Sequence, residues 1–140
     1  MTNQEKAQHI ANDLMLRHDA FSQWLGIEIV SIEEGSSVLQ MTVRQEMTNG
    51  FGIAHGGITF SLADSAFAFA CNSHDNKSVS LECSVSHTAP VHIGDTLTAV
   101  CIQENTTNKT GLYYVTITNQ HGDKVALFRG TCYRTGKRWL

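Results

Sequence analysis

Apolar side chains near the start of the chain recur at helical spacing. Residues 4–25 place them four or seven positions apart, at Ile10, Leu14, Phe21 and Leu25. Gly26 follows the last of them, and glycine is common just past a helix C-terminus. The N-terminal segment, residues 1–25, is therefore predicted to form an amphipathic helix.

The pattern then changes to the alternation of apolar and polar residues that is typical of strands. IEIVSIEEG and SSVLQMTVRQ predict two strands, with the turn EEGS between them. A mixed segment, residues 47–54, predicts a loop. Four further alternating runs predict strands at residues 78–88, 96–106, 111–119 and 124–134.

The segment between the loop and the last four strands, residues 56–72, is apolar on nearly every helical face. A helix that is hydrophobic all round is a buried one. The order is helix, two strands, long helix and four strands, which predicts an α+β fold. We expect one domain over residues 1–140, with an antiparallel β-sheet wrapped around a long central helix.

Composition excludes several functional classes. The 140 residues carry a formal net charge of −3, which is not the basic excess of a nucleic-acid-binding protein. The N-terminus is polar where a signal peptide is apolar, and no run approaches the ~18 apolar residues of a membrane span. The four cysteines lie far apart without metal-ligand spacing. We expect a cytoplasmic protein with buried reduced thiols, no membrane contact and no metal.

One carboxylate, Asp64, interrupts the apolar helix. No Lys or Arg occurs between residues 45 and 76, so a local ion pair does not explain it. Three interpretations compete. Asp64 lies on an exposed stripe or accepts hydrogen bonds from Ser61 or Ser65; it specifies an oligomer interface; or it is a general base or nucleophile in a cleft, where an apolar setting raises its pKa.

The start of the same helix favours the catalytic interpretation. His55, Gly56 and Gly57 open it, and glycines leave backbone N–H groups accessible at the positive end of the helix dipole. Such amides can hold an oxyanion. Asp64 is two turns further along, ~11 to 12 Å away, so one chain does not easily direct both groups at one atom. A dimer could combine them.

These residues resemble those of the hotdog-fold acyl-CoA thioesterases of the phenylacetic-acid-degradation type. The likeness covers roughly residues 20–135, and its motifs are Asn49, HGG at 55–57, Asp64 within SLADSAFAFACNS, and ALFRGTCYR at 126–134. It implies a hotdog fold and a homotetramer, a dimer of dimers with active sites at the dimer interface. It also implies aryl-acetyl-CoA substrates, phenylacetyl-CoA or hydroxyphenylacetyl-CoA, and no cofactor besides the CoA of the substrate.

The resemblance also assigns roles to individual residues. Asp64 matches the catalytic carboxylate, Gly56 the oxyanion amide, and Asn49 the polar residue that contacts substrate or lytic water. Ser80 matches a position where some related thioesterases carry a helping serine. A thiolate leaving group, whose acid has a pKa around 8.5, departs without a strong general acid, so this small set suffices. Whether Asp64 attacks the acyl carbon or activates water stays open.

Further residues are candidates for substrate binding. His55 is a possible base, although a histidine at a helix start more often fixes the loop, and Gly57 adjoins the oxyanion amide. Phe67, one turn from Asp64, is the candidate wall for an aromatic ring. His87 and His92 are predicted to lie on the surface. The CoA phosphates need cations, and those available include Lys77, Lys109, Arg129 and the tail residues Arg134, Lys137 and Arg138.

Two other functions are compatible with such a fold. A hotdog hydratase would carry GDxNPxxH, whereas Gly94 and Asp95 continue here as Thr96 and Leu97. A non-catalytic module that binds acyl-CoA as a sensor would not need Asp64, and the chain has no DNA-binding segment. The sequence favours the thioesterase over both.

Overall fold

The computed structural model describes residues 1–140 as one antiparallel sheet curled around a long helix. The helices are α1 (Asn3–His9), α2 (Ala20–Leu25) and α3 (Gly56–Asn72), and none has the length and apolar character needed to cross a membrane. The strands are β1 (Glu28–Glu33), β2 (Ser36–Thr42), β3 (Ser78–His87), β4 (Thr96–Thr106), β5 (Thr110–Thr118) and β6 (Lys124–Arg134).

The long helix α3 fills the concave side of the sheet. Its apolar side chains pack against every strand, and the core they form contains 29 buried residues. Along β5 and the first half of β4, the inward positions are buried while the alternate positions are partly or fully exposed. The predicted α+β architecture is confirmed, and the last four strands lie within one residue of their predicted bounds.

The prediction of one helix over residues 4–25 is wrong. α1 ends at His9, a π-helical turn follows at Ile10–Met15 and a 3-10 turn at Leu16–His18, and α2 starts after Asp19. Asp19 leaves the helical conformation (φ −98°, ψ 86°), and its carboxylate accepts hydrogen bonds from the Ser22 N–H at 3.0 Å and hydroxyl at 2.6 Å. An aspartate side chain that accepts a hydrogen bond from a nearby backbone N–H starts a new helix at that point. The segment is therefore divided at Asp19, although its apolar residues keep helical spacing.

The strand order is β1-β2-β4-β5-β6-β3. The third strand of the sequence, β3, therefore lies at one edge of the sheet, next to the last strand, β6. It pairs with β6 on one side only, with a register shift at Leu81. Val79 and Leu81 are more than half exposed on this edge. A long edge strand with exposed apolar side chains offers unpaired backbone groups to another strand.

Candidate active site

The start of α3 presents a free backbone amide. His55 is the N-cap residue, and its Nδ1 accepts a hydrogen bond from the Gly57 N–H at 3.0 Å. The His55 carbonyl accepts one from the Ile58 N–H at 2.9 Å. The Gly56 N–H, between them, has no acceptor in the chain. Gly56 therefore supplies an uncommitted donor at the positive end of the helix dipole.

Asn49 lies in the same cleft as Gly56, which has a volume of about 430 Å³. Its Oδ1 accepts hydrogen bonds from the backbone N–H groups of Phe51 at 2.9 Å and Ile53 at 3.4 Å. These bonds hold the loop and fix the orientation of the amide. The Asn49 Nδ2 is left as a second donor that a ligand in this cleft can use.

His87 is exposed, as predicted, and it ends β3 next to Gly56. A Cβ at position 56 would lie 3.1 Å from the His87 Nε2. The Thr59 hydroxyl donates to the Gly56 carbonyl at 3.1 Å, so it accepts from the His87 Nδ1–H at 3.2 Å. His87 and Thr59 thus cover the candidate oxyanion site. Only the fold brings them there, because no motif joins the end of a strand to the start of a helix 31 residues earlier.

Asp64 lies in a different groove, of about 460 Å³, between α3 and the start of β3. Burial among apolar groups raises the pKa of its carboxyl, and the negative charge of Asp19 raises this pKa further. No cation of the chain forms an ion pair with it. Ser80 lines the same groove from β3, and the apolar lining consists of Met15, Phe67, Ala68, Cys71, Val79 and Trp139.

Phe67 contributes to both the core and the wall of this groove. Its side chain is 1% exposed, and its ring packs at 5.7 Å from Tyr113 and 5.8 Å from Phe128, measured between centroids. The ring lies against Gly130 of β6, where an added Cβ would approach it to 2.9 Å. Phe67 therefore has a fixed position in the groove that holds Asp64.

His55 and Gly57 line a third hollow, of about 340 Å³, with Phe21 on its far side. The structure does not bring them into the cleft of Gly56 and Asn49. Their mutual hydrogen bond fits the structural role of a histidine at a helix start, namely fixing the loop before α3. It also requires an unprotonated Nδ1, so a neutral His55 carries its proton on Nε2.

The four cysteines are free thiols, and Cys83 is only half-buried whereas the other three are buried. Cys71 also lines the groove of Asp64. No group of three or more His, Cys, Asp or Glu side chains lies close enough together to hold a metal ion. The polar groups that line the two cavities are therefore the Asp64 carboxylate, the Cys71 thiol, the Lys77 amine, the His87 imidazole, and hydroxyl and amide groups.

The two halves of the candidate site are separate on one chain. Gly56 and Asp64 are about two turns apart on α3, ~12 Å along its axis, and they open into different cavities. β3 connects these cavities, because its first residues line the Asp64 groove and His87 at its end lines the Gly56 cleft. An antiparallel copy of β3 would bring the start of one strand beside the end of the other.

A long apolar helix inside a curled antiparallel sheet, with a free glycine amide and a lone carboxylate, is the arrangement of a hotdog-fold thioesterase. The model of the thioesterase superfamily matches residues 51–126. The chain belongs to this superfamily. The resemblance found in the sequence is thereby confirmed, together with the hotdog fold.

Individual relatives support the same assignment. The chain is 45% identical to the acyl-coenzyme A thioesterase PaaI of Escherichia coli K12 over 122 residues, 87% of each chain. It superposes on the structure of E. coli PaaI, from the phenylacetic acid degradation operon, with a TM-score of 0.94, covering 98% of this chain and 99% of that one. A Streptococcus mutans protein solved with bound acetyl-CoA matches with a TM-score of 0.78 and 31% identity, over 80% and 90% of the chains.

Proposed function

We propose that this thioester hydrolase cleaves aryl-acetyl-CoA thioesters, phenylacetyl-CoA or hydroxyphenylacetyl-CoA, to the free acid and CoA in phenylacetate degradation. The observation that carries the proposal is the groove around Asp64, in which a desolvated carboxylate adjoins apolar and aromatic side chains. The similarity to E. coli PaaI supports the aryl-acetyl substrate class. The cytoplasm remains the predicted location.

In the proposed reaction, Asp64 acts as general base. It takes a proton from water as the water oxygen attacks the thioester carbonyl carbon, and the carbonyl electrons move onto oxygen. The Gly56 N–H and the Asn49 Nδ2 donate hydrogen bonds to this oxyanion. The carbonyl then re-forms as the C–S bond breaks, and CoA leaves as the thiolate. The thiolate takes up the proton held by Asp64, so that the free acid and CoA are released and the carboxylate is restored. Water and the side chains suffice, and CoA enters as part of the substrate.

We propose that Asp64 of one subunit and the Gly56 amide of its partner form one site. Antiparallel pairing of two β3 strands would satisfy their exposed edges and cover Val79 and Leu81. It would also set the Asp64 groove of one chain against the Gly56 cleft of the other. Asp64 would be buried further, which raises the cost of its ionisation and its strength as a base.

We further propose a homotetramer made of two such dimers. The outer face of the sheet carries exposed apolar side chains on three adjacent strands, Ile102 on β4, Tyr114 on β5 and Leu127 on β6. Ile102 and Tyr114 are directly paired in the register of the sheet, so the side chains of these two residues are neighbours. An apolar patch on the convex face would be covered by a second dimer.

Release of free CoA thiol from phenylacetyl-CoA, hydroxyphenylacetyl-CoA and an aliphatic acyl-CoA tests the proposal. We expect the wild type to prefer the aryl-acetyl thioesters. Asp64→Asn should lower kcat by about 10² to 10⁴, the usual contribution of a general base. Asp123→Asn is a matched control, because this exposed carboxylate lies in the turn before β6, outside both cavities.

The outcomes separate the parts of the proposal. Absence of thiol release from every substrate would contradict the function itself. Release that prefers the aliphatic thioester would contradict the substrate class only. Full activity in Asp64→Asn would remove the carboxylate from the mechanism and leave the hydrolase assignment intact.

A further inference from the structure

The last residues of the chain fold back onto the C-terminal end of α3. The Asp75 Oδ1 accepts hydrogen bonds from the backbone N–H groups of Trp139 at 2.7 Å and Leu140 at 3.1 Å. Its Oδ2 binds the Arg138 guanidinium through Nε at 2.9 Å and Nη2 at 2.8 Å. Asp75 is 9% exposed. One buried carboxylate thus holds the tail in a defined place.

The indole of Trp139 is fixed independently of its backbone. Its Nε1–H donates to the Asn72 Oδ1 at 3.0 Å, and the Lys77 Nζ lies 5.0 Å from the ring centroid. Asn72 is itself held, because its Oδ1 accepts from the Ser78 N–H at 2.9 Å and its Nδ2 donates to the Ala68 carbonyl at 2.9 Å. A buried amide with these partners keeps the indole in one orientation.

This indole lies in the groove that holds Asp64. Asn72, its hydrogen-bond partner, ends α3 about two turns beyond Asp64, ~12 Å along the helix. The groove therefore has a carboxylate towards one end and an indole towards the other, with Phe67 and Ala68 between them. The opposite cleft, around Gly56 and His87, contains the hydrogen-bond donors instead.

We propose that Trp139 forms the closed end of the acyl pocket and sets the upper limit on acyl size. The inference rests on the proposed function, because it takes the Asp64 groove to hold the acyl group. With the carbonyl at Asp64, the acyl group extends along α3 towards the indole. An aromatic ring gains an offset or edge contact with the partly buried Trp139 indole, whereas a longer chain collides with it.

Selectivity between acyl groups tests the proposal. We compare kcat/KM for acetyl-CoA, phenylacetyl-CoA and dodecanoyl-CoA in the wild type, Trp139→Ala and Trp139→Phe. Removing the indole should raise the dodecanoyl to phenylacetyl ratio of kcat/KM at least tenfold, and it should change kcat/KM for acetyl-CoA less than that for either larger substrate. Trp139→Phe, which keeps a smaller ring, should lie between. Leu140→Ala is the matched control, because it alters the same tail outside the groove and should keep the wild-type ratio.

Binding provides a readout that does not depend on turnover. In a Trp24→Phe, Asp64→Asn background, Trp139 is the only remaining tryptophan. Saturating phenylacetyl-CoA should change its fluorescence, whereas free CoA should not. An unchanged selectivity ratio in Trp139→Ala, or no fluorescence change at saturation, overturns the proposal. A wild type that releases no thiol overturns the proposed function, and the fluorescence titration still decides whether the acyl group reaches Trp139.

Discussion

Asp64 is the only charged residue of α3, and its surroundings act on it in one direction. Burial among apolar side chains raises the pKa of its carboxyl, and the charge of Asp19 adds to this. A base with a raised pKa holds the abstracted proton more strongly, provided that it is ionised at the working pH. The same features that make a charged Asp64 unfavourable inside an apolar helix would make it useful in the proposed role as a base.

The acid limb of the pH–rate profile should report this environment. Because the base must be ionised, kcat/KM for phenylacetyl-CoA should fall as pH drops through the pKa of Asp64, above the ordinary aspartate value of about 3.9. Asp19→Asn removes a negative charge and keeps a side chain that can cap α2, so it should lower this pKa and move the limb to lower pH.

Asp13→Asn is the control for that shift, because Asp13 is on the same N-terminal segment but is paired with His9. Its acid limb should coincide with that of the wild type. An acid limb that stays in place in Asp19→Asn would show that Asp19 does not act on the base.

Site residues that stand out from their neighbours in the sequence could be predicted. Those that only the folding of distant segments brings to a cavity could not. Asp64 stands out because it is alone in an apolar helix, and Gly56 because glycines open that helix. His87 and Trp139 reach the two cavities from a strand end and from the tail. Their positions depend on pairings between distant segments, which hydrophobic periodicity does not record.

Among the elements, β3 is the longer of the two edge strands, and the backbone N–H and C=O groups on its outer side have no partner strand. It is the edge of the sheet next to β6, it is ten residues long, and it lies beside both cavities. β1 forms the other edge but is shorter, with six residues. The edge at β3 is therefore the one whose pairing would complete the proposed site.

A lysine on this edge should separate the subunits. Leu81 is 61% exposed and lines neither cavity, so Leu81→Lys changes the edge and spares the groove. Charged side chains on edge strands oppose pairing, and we expect a smaller particle in sedimentation velocity together with loss of thiol release. Val30→Lys places the same charge on the opposite edge strand, at 56% exposure, and should change neither. A fully active Leu81→Lys dimer would exclude pairing through β3.

The strands were predictable because alternation is a direct consequence of a half-buried sheet. β4 shows this in its regular change between buried and less buried positions. The N-terminal helix was predicted wrongly because its apolar spacing continues across Asp19. There the capping bonds of one aspartate outweigh a periodicity that would otherwise support a single helix.

At the scale of the whole molecule, the proposed dimer would be the active unit. Each chain would contribute Asp64 to one site and Asn49 with Gly56 to the other. Each of the two sites then contains residues of both chains. A substitution of Asp64 and a substitution of Asn49 in the same chain would therefore affect different sites.

Mixing two inactive variants should therefore restore activity. In a heterodimer of Asp64→Asn and Asn49→Ala, one site carries both changes and the other carries neither. Random reassociation of equal amounts should give about a quarter of wild-type specific activity. Thiol release after unfolding and refolding the mixture measures this, with each variant refolded alone as the control. A mixture no more active than its components would place all catalytic groups of a site on one chain.

Gly130 lies on the inner side of β6, outside the groove, yet it touches the ring that shapes it. An added Cβ there would come within 2.9 Å of Phe67 and 3.0 Å of Phe128. Any larger residue would have to displace the Phe67 ring, which lines the groove of Asp64, although position 130 does not line the groove itself. Substrate preference can thus drift through changes in the hydrophobic interior, where a comparison of pocket-lining residues between relatives would not reveal it.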